Sequence, residues 1–133
     1  MSKFLSPLQV ELISDATNSG RGTWRLTAPL PYQSEVARQV FVVPAGFETD
    51  FASVPRAPVA FLLTADSAHA ASAVHDFLYT APHPVSREIA DAVLKEASIA
   101  SGVPAWRAWL MWAGVRIGGA AHWGAAASAT SAR

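Results

Sequence analysis

The residues best suited to chemistry are one histidine and three aspartates between positions 50 and 91. His75 and Asp76 are adjacent in the run 71–79, Asp50 lies in an upstream polar turn, and Asp91 lies downstream. A histidine backed by a carboxylate can take a proton from water, and carboxylate oxygens bind hard cations such as calcium. The sequence therefore predicts general-base chemistry beside a metal ion.

The run 71–79 has the composition of a helix, and adjacent residues on a helix point about 100° apart. His75 and Asp76 would then face different partners, one a substrate and the other an ion. Asp91 falls on the next helix, and antiparallel packing of the two helices would bring it behind the His75 ring. A carboxylate there fixes the tautomer of the ring and stabilises its charged form. We therefore predict His75 as the base, Asp91 as its orienting residue and Tyr79 as a supporting hydroxyl.

The proposed ion needs further oxygen ligands, because calcium takes six to eight of them. Asp76 would bind the ion, and Asp50, in a turn with available main-chain carbonyls, would supply other oxygens. Thr49 and Ser53, in the same turn, are expected to support it.

Simpler interpretations stay open at this point. Asp50 and Ser53 could form only an Asx-type turn. Asp91 could pair with Arg87, four residues earlier, in a surface contact worth about 0.3–0.5 kcal/mol. A third chemistry is also open: His75, His83 and nearby carboxylates suit a zinc or iron site.

Short alternating runs predict strands in the first half of the chain, at 8–13, 23–27, 39–43 and 47–49. The link 28–31 contains two prolines, so we expect it outside any central strand. Three helices should follow: one ending near Tyr79, one capped by Ser86 and ending at Gly102, and one beginning after Pro104. The sequence predicts an α+β fold, with a small antiparallel N-terminal sheet of three to four strands followed by three helices. A single domain would span 1–124, and an Ala/Ser-rich tail at 125–133 would be flexible.

Composition restricts the function. Of the 133 residues, 10 are Lys or Arg and 10 are Asp or Glu, so no basic patch predicts nucleic-acid binding. With no cysteine, disulfides and thiolate metal sites are excluded. The N-terminus does not resemble a signal peptide, and no run predicts a transmembrane helix.

Three tryptophans lie close together in the third predicted helix, namely Trp106, Trp109 and Trp112. Such a face packs most often in a core. Three tryptophans within seven residues also suit a contact with a partner protein or a membrane surface.

Four motifs occur in one order along most of the chain: 47–56, 73–79, the pairs at 86–87 and 90–91, and 109–112 with Gly118. In these motifs the chain resembles the domain of unknown function 1353 family, small uncharacterised proteins common in tailed phages and prophages. The resemblance implies a phage gene product in the host cytoplasm or the virion, particularly the tail, with other phage structural proteins as partners.

The segment 49–97 also resembles secreted phospholipase A2, notably the short prokaryotic kind. It shares the order of an aspartate turn, then His75-Asp76-x-x-Tyr79 on a helix, then Asp91 on the next helix. This resemblance implies a general base at His75, its orienting carboxylate at Asp91 and a calcium-binding aspartate at Asp76.

The same resemblance implies that Asp50 and the main-chain carbonyl of Phe51 complete the calcium site. The sequence thus predicts a phage-encoded, calcium-dependent, phospholipase A2-like ester hydrolase that acts at a lipid surface. The alternative is a non-catalytic virion, tail-tip or assembly component that docks through the tryptophan helix. A transition-metal hydrolase acting on cell wall is a third interpretation.

Overall fold

The computed structural model describes residues 2–14, 23–49 and 68–131. Within these ranges six strands precede three helices, which confirms the predicted α+β class. The strands are β1 Lys3–Phe4, β2 Val10–Ser14, β3 Thr23–Leu26, β4 Leu30–Ser34, β5 Gln39–Val43 and β6 Glu48–Thr49. The helices are α1 His69–Leu78, α2 Arg87–Ala100 and α3 Ala105–Ser131.

The strands form two antiparallel sheets of three strands each, where the sequence suggested one sheet of three to four. Their orders are β1–β4–β5 and β2–β3–β6. The predicted pairing of the first two alternating runs is present as β2 and β3, with Leu12 opposite Trp24. The short strand β6 pairs with the other edge of β3 and places Thr49 opposite Trp24. This pairing brings the end of β6 towards the helices.

The sequence predicted that the link 28–31 lies outside any central strand, and strand β4 corrects this prediction. Pro31 lies within β4, which is the central strand of its sheet. The Pro31 carbonyl accepts a hydrogen bond from the Leu5 amide at 3.0 Å. In an extended strand the nitrogen and carbonyl of one residue point to the same side, so the missing donor of Pro31 also faces Leu5. Leu5 lies just beyond the two-residue strand β1, where the ladder has already ended. The proline therefore removes no hydrogen bond between β4 and β5, and its missing donor falls where the pairing with β1 ends.

Local signals set the limits of the helices as predicted. Ser86 caps α2, and its hydroxyl accepts a hydrogen bond from the Ile89 amide at 3.2 Å. Gly102 follows α2 with a φ of +100°, a conformation in which glycine carries no steric penalty. Pro104 immediately precedes α3. Helix α3 runs from Ala105 to Ser131.

The core lies where α1 and α2 pack against each other and against the strands. Its largest wholly buried side chains come from the strands and from both helices, and the apolar members are Leu26, Leu30, Tyr32, Val43, Val74, Leu78, Val93 and Leu94. Phe47, just before β6, packs edge-on against Phe77 of α1, with ring centroids 5.7 Å apart. Both sheets are thereby joined to the helices that carry the polar residues.

A carboxylate of α2 attaches that helix to the β1–β4–β5 sheet. Glu96 accepts hydrogen bonds from the Tyr32 hydroxyl at 2.7 Å, the Ser34 hydroxyl at 2.8 Å and the Val36 amide at 2.8 Å. Burial acts to raise the pKa of Glu96, but these hydrogen bonds outweigh it and lower the pKa below its usual value. Burial, reinforced by Glu96, raises the pKa of Tyr32. We call this group of four residues the Glu96 cluster.

Candidate functional site

The histidine and the aspartate that the sequence paired meet between α1 and α2. His75 Nε2 lies 2.8 Å from Asp91 Oδ1. The His75 side chain is almost wholly buried, and Asp91 has 0 % of its surface exposed. A buried carboxylate is stable only when donors surround it, so the position of Asp91 depends on its neighbours. The expected contact of Asp91 with the His75 ring is therefore present.

Two further donors complete the surroundings of Asp91. The Tyr79 hydroxyl donates to Oδ1 at 2.6 Å, and Arg116 Nη1 of α3 donates to Oδ2 at 2.9 Å. Arg87 Nε lies 3.9 Å from Oδ2, so the suspected ion pair four residues apart exists at the limit of contact. It is a weak member of a buried network, and not the surface pair that the simpler interpretation required. We call His75, Tyr79, Asp91 and Arg116 the Asp91 cluster.

The electrostatics of the cluster fix the roles of its groups. Burial acts to raise the pKa of Asp91, but hydrogen bonds from His75, Tyr79 and Arg116 and the charge of His75 lower it below its usual value. Burial, followed by the hydrogen bond to Asp91, raises the pKa of Tyr79 to about 12, although Arg87 acts in the opposite direction. Asp91 is therefore an anion that only accepts, and Tyr79 is a neutral donor.

The ionised state of Asp91 determines the tautomer of His75. Because the carboxylate accepts, His75 Nε2 carries a proton, and in the neutral ring the lone pair lies on Nδ1. The Tyr79 ring packs beside the imidazole, with ring centroids 4.3 Å apart. In this arrangement Nδ1 is the basic atom, and Asp91 stabilises the imidazolium that forms when Nδ1 takes a proton.

Asp76 faces a different part of the molecule, as its position beside His75 on the helix predicts. The Thr49 hydroxyl, at the end of β6, donates a short hydrogen bond to Asp76 Oδ2. The structure therefore brings together Asp76 and Thr49, both predicted at the ion site. The other predicted members, Asp50, Phe51 and Ser53, lie outside the described residues.

The donor set of a cation site is consequently described only in part. The Asp76 carboxylate and the Thr49 hydroxyl are hard oxygen donors of the kind that calcium prefers. In the ranges 2–14, 23–49 and 68–131, no group of three or more His, Cys, Asp or Glu side chains is placed to bind a metal. These residues suit calcium in type but are too few to bind it alone.

His83 lies in a packing environment. Its Nδ1 is 3.2 Å from the Leu78 carbonyl, and its ring stacks on Trp123 at 3.6 Å between centroids. The described structure gives no support to a site in which His75 and His83 share a transition metal.

The tryptophan face of α3 points largely outwards. Trp106 is 57 % exposed, Trp109 and Leu110 are also exposed, and Ile117 is 86 % exposed. Trp112 is partly buried, and Lys95 Nζ lies 5.8 Å from the centre of its ring. Trp109, Leu110 and Ile117 lie three, four and eleven positions after Trp106, so the exposed residues form one stripe along the helix.

Sequence reasoning missed what α3 contributes to the site. Arg116 binds Asp91, Arg87 Nη2 donates to the carbonyls of Val115 and Arg116 at 3.0 and 2.8 Å, and Trp123 packs edge-on against Tyr79. A signal was present, because Arg116 lies between the apolar residues Val115 and Ile117 in a largely apolar helix. Such a residue commonly has a buried acid as its partner.

Comparison with known proteins places this α+β chain in a family. The family model described as "Protein of unknown function (DUF1353)" matches residues 24–115, more than half of the chain, and the chain belongs to that family. The match includes Thr49, His75, Asp76, Tyr79 and Asp91 and ends one residue before Arg116. No curated protein and no solved structure matches the chain. In the part of the chain that the structure describes, no helix has the length and apolar character required to cross a membrane.

Proposed function

We propose that the protein is a phospholipase A2-like ester hydrolase in which His75 is the general base. The observation that carries the proposal is the 2.8 Å contact between His75 Nε2 and the wholly buried, ionised Asp91. Tyr79 donates to the same carboxylate and so limits the positions that Asp91 can take. A histidine, the acid that orients it and a third group that fixes the acid form the arrangement that general-base catalysis requires.

The reaction follows from the tautomer. A water molecule loses a proton to His75 Nδ1 as its oxygen attacks the carbonyl carbon of an ester. When the resulting tetrahedral adduct collapses, the bond from carbon to the alkoxy oxygen breaks, and the imidazolium gives its proton to that departing oxygen to form the alcohol. The products are an alcohol and a carboxylic acid. Asp91 stays ionised throughout and stabilises the charged ring.

Calcium is part of the proposal, with Asp76, Asp50 and the Phe51 carbonyl as its ligands and Thr49 beside them. The hard oxygen donors of Asp76 and Thr49 support this choice. Bound there, calcium would polarise the ester carbonyl. We expect Asp76→Asn to raise the calcium concentration needed for half-maximal activity, and EGTA to abolish turnover.

The test uses the purified protein with calcium and mixed phospholipid vesicles, and it measures fatty-acid release. We expect His75→Ala to reduce the rate by about 10²–10⁴-fold, the usual contribution of a general base. His83→Ala is the matched control, because it removes a nearby histidine that lies outside the Asp91 cluster. Absence of release by the wild type, or equal release by His75→Ala, would falsify the proposal.

The exposed stripe of α3 favours a second candidate function. Trp106, Trp109, Leu110 and Ile117 expose apolar surface that suits binding to another protein. A phage virion, tail-tip or assembly component would use such a surface to dock onto a structural protein of the particle. Mass spectrometry of purified virions, with light scattering of the isolated protein, tests this candidate. A monomer that is absent from the particles would contradict it.

A further inference from the structure

Helix α3 packs closely against Tyr79 of the Asp91 cluster at Gly119. A methyl group added at Gly119 would lie 2.6 Å from the Tyr79 hydroxyl oxygen, closer than atoms of a folded protein tolerate. It would also lie 3.4 Å from Arg87 Nη2 and from Tyr79 Cε2, which is ordinary contact. Gly119 is buried, whereas Gly114 and Gly118 on the same helix are exposed and have open space at the corresponding place. Of these three glycines, only Gly119 lies so close to a neighbouring side chain that an added methyl group would clash with it.

The Tyr79 hydroxyl has little freedom to move away from an added methyl group. It donates to Asp91 at 2.6 Å and accepts from Arg87 Nε at 3.3 Å. Its ring lies between the His75 ring, 4.3 Å away, and the Trp123 ring, 5.0 Å away. A displaced hydroxyl would lose its short hydrogen bond to the carboxylate.

Helix α3 also has little freedom to move away from Tyr79. Arg87 Nη2 donates to two successive main-chain carbonyls of α3, those of Val115 and Arg116. Arg116 Nη1 binds Asp91 Oδ2. These contacts lie within one turn of Gly119 and fix the register of α3 against α2.

We infer that Gly119 is a positioning residue: its lack of a side chain allows Tyr79 to reach Asp91 while Arg116 binds the same carboxylate. Through Asp91 it sets the orientation of the His75 ring. The inference rests on the proposed function for what the ring does in turnover. The position of the ring itself is a matter of packing and can be tested without turnover.

The experiment compares Gly119→Ala with Gly118→Ala. Both place alanine in the same helix and change its propensity alike, but only the first adds a methyl group against Tyr79. Each ¹⁵N-labelled variant is studied by two-bond ¹H–¹⁵N spectroscopy of the histidine rings, with the His75 signals assigned by their loss in His75→Ala. We expect Gly119→Ala to shift the ¹⁵N resonances of the His75 ring, and Gly118→Ala to leave them unchanged. Vesicle hydrolysis by Gly119→Ala should fall by about 10–100-fold, as for a small misplacement of a reacting group.

The variant Tyr79→Phe makes the test specific. It removes the atom that the new methyl group would meet at 2.6 Å and leaves only contacts of 3.4 Å. We expect Gly119→Ala to have no further effect on the His75 signals or on the rate in the Tyr79→Phe background. A His75 spectrum of Gly119→Ala that superimposes on that of the wild type would overturn the inference. Equal losses in the wild-type and Tyr79→Phe backgrounds would overturn it too. If no variant hydrolyses ester, the proposed function fails, and the spectra still decide the role of Gly119.

Discussion

Helix α2 carries two carboxylates that each accept several hydrogen bonds, Asp91 and Glu96. The two differ in the chemical type of the donors around them. Each accepts from one of the two tyrosines of the chain, Asp91 from Tyr79 and Glu96 from Tyr32. The remaining donors to Glu96 are serine hydroxyls and a main-chain amide, whereas those to Asp91 are an imidazole and a guanidinium. Hydroxyl and amide donors neither gain nor lose a proton near neutral pH, so the Glu96 cluster is a structural attachment of the helix to the sheet. An imidazole makes the same physical arrangement capable of proton transfer.

The largest predicted difference between the Asp91 cluster and the Glu96 cluster is the effect of their variants on the rate of ester hydrolysis. Asp91→Asn changes the acceptor of the His75 proton and so disturbs its tautomer, and we expect the rate of ester hydrolysis to fall by about 10²–10⁴-fold. Glu96→Gln should leave the rate per folded molecule unchanged. Both rates are measured with phospholipid vesicles and corrected for the folded fraction from circular dichroism. Equal loss in the two variants would mean that the clusters do not differ in function.

Removal of each carboxylate should also cost stability to different extents. Asp91→Ala leaves the guanidinium of Arg116 without its counter-ion and the buried His75 ring without an acceptor, and loss of one partner of a buried pair typically costs about 3–5 kcal/mol. Arg116 is 29 % exposed, so we expect the lower end of that range. Glu96→Ala leaves the buried Tyr32 hydroxyl without an acceptor, at a cost of about 1–3 kcal/mol. Urea unfolding measures both, with the exposed Glu88→Ala as the control.

The acid dependence of stability follows from the two lowered pKa values. Because each carboxyl has a lower pKa in the folded chain, its contribution is complete above the unfolded pKa, 3.8 for Asp91 and 4.5 for Glu96. The contribution is lost as the pH falls through the folded pKa. We expect the urea midpoint to fall below about pH 4.5. Asp91→Asn and Glu96→Gln should each make that fall less steep, and an unchanged slope in both would contradict the assignment.

The smallest effect concerns the two tyrosines. Burial raises the pKa of both above the ordinary value of 10, that of Tyr79 to about 12. A titration followed by phenolate absorbance should therefore show no ionisation in the folded protein at pH 10. Tyr32→Phe and Tyr79→Phe assign the two steps, and each should cost about 1 kcal/mol, the net value of one hydrogen bond. A tyrosine that titrates at its ordinary value would show that its hydroxyl is not bound to a carboxylate.

The sequence was sufficient for part of the Asp91 cluster because that part depends on local spacing. His75 and Tyr79 lie one turn apart on one helix, and Asp91 lies near the start of the next, so the pairing of α1 and α2 brings them together. Arg116 and Gly119 could not be assigned in this way, since their roles depend on how α3 crosses the pair. No local sequence pattern predicts how α3 packs against α1 and α2.

The Glu96 cluster was missed for a different reason. Its donors come from β4 and the turn after it, more than 60 residues away in sequence for Tyr32 and Ser34. Strand β4 itself was not predicted, because Pro31 argued against a central strand. The strand tolerates Pro31 because the missing donor faces the end of β1. Without that strand, nothing in the sequence distinguished Glu96 from an ordinary acid on a helix surface.

The spacing of the two carboxylates has a consequence for the motions of α2. Asp91 and Glu96 are five residues apart, which places them about 140° apart around the helix axis. The helix is therefore anchored on two flanks, to α1 and α3 on one and to the β1–β4–β5 sheet on the other. It can neither slide nor rotate without breaking both anchors, so the amide protons between them should exchange with solvent only when the whole domain unfolds.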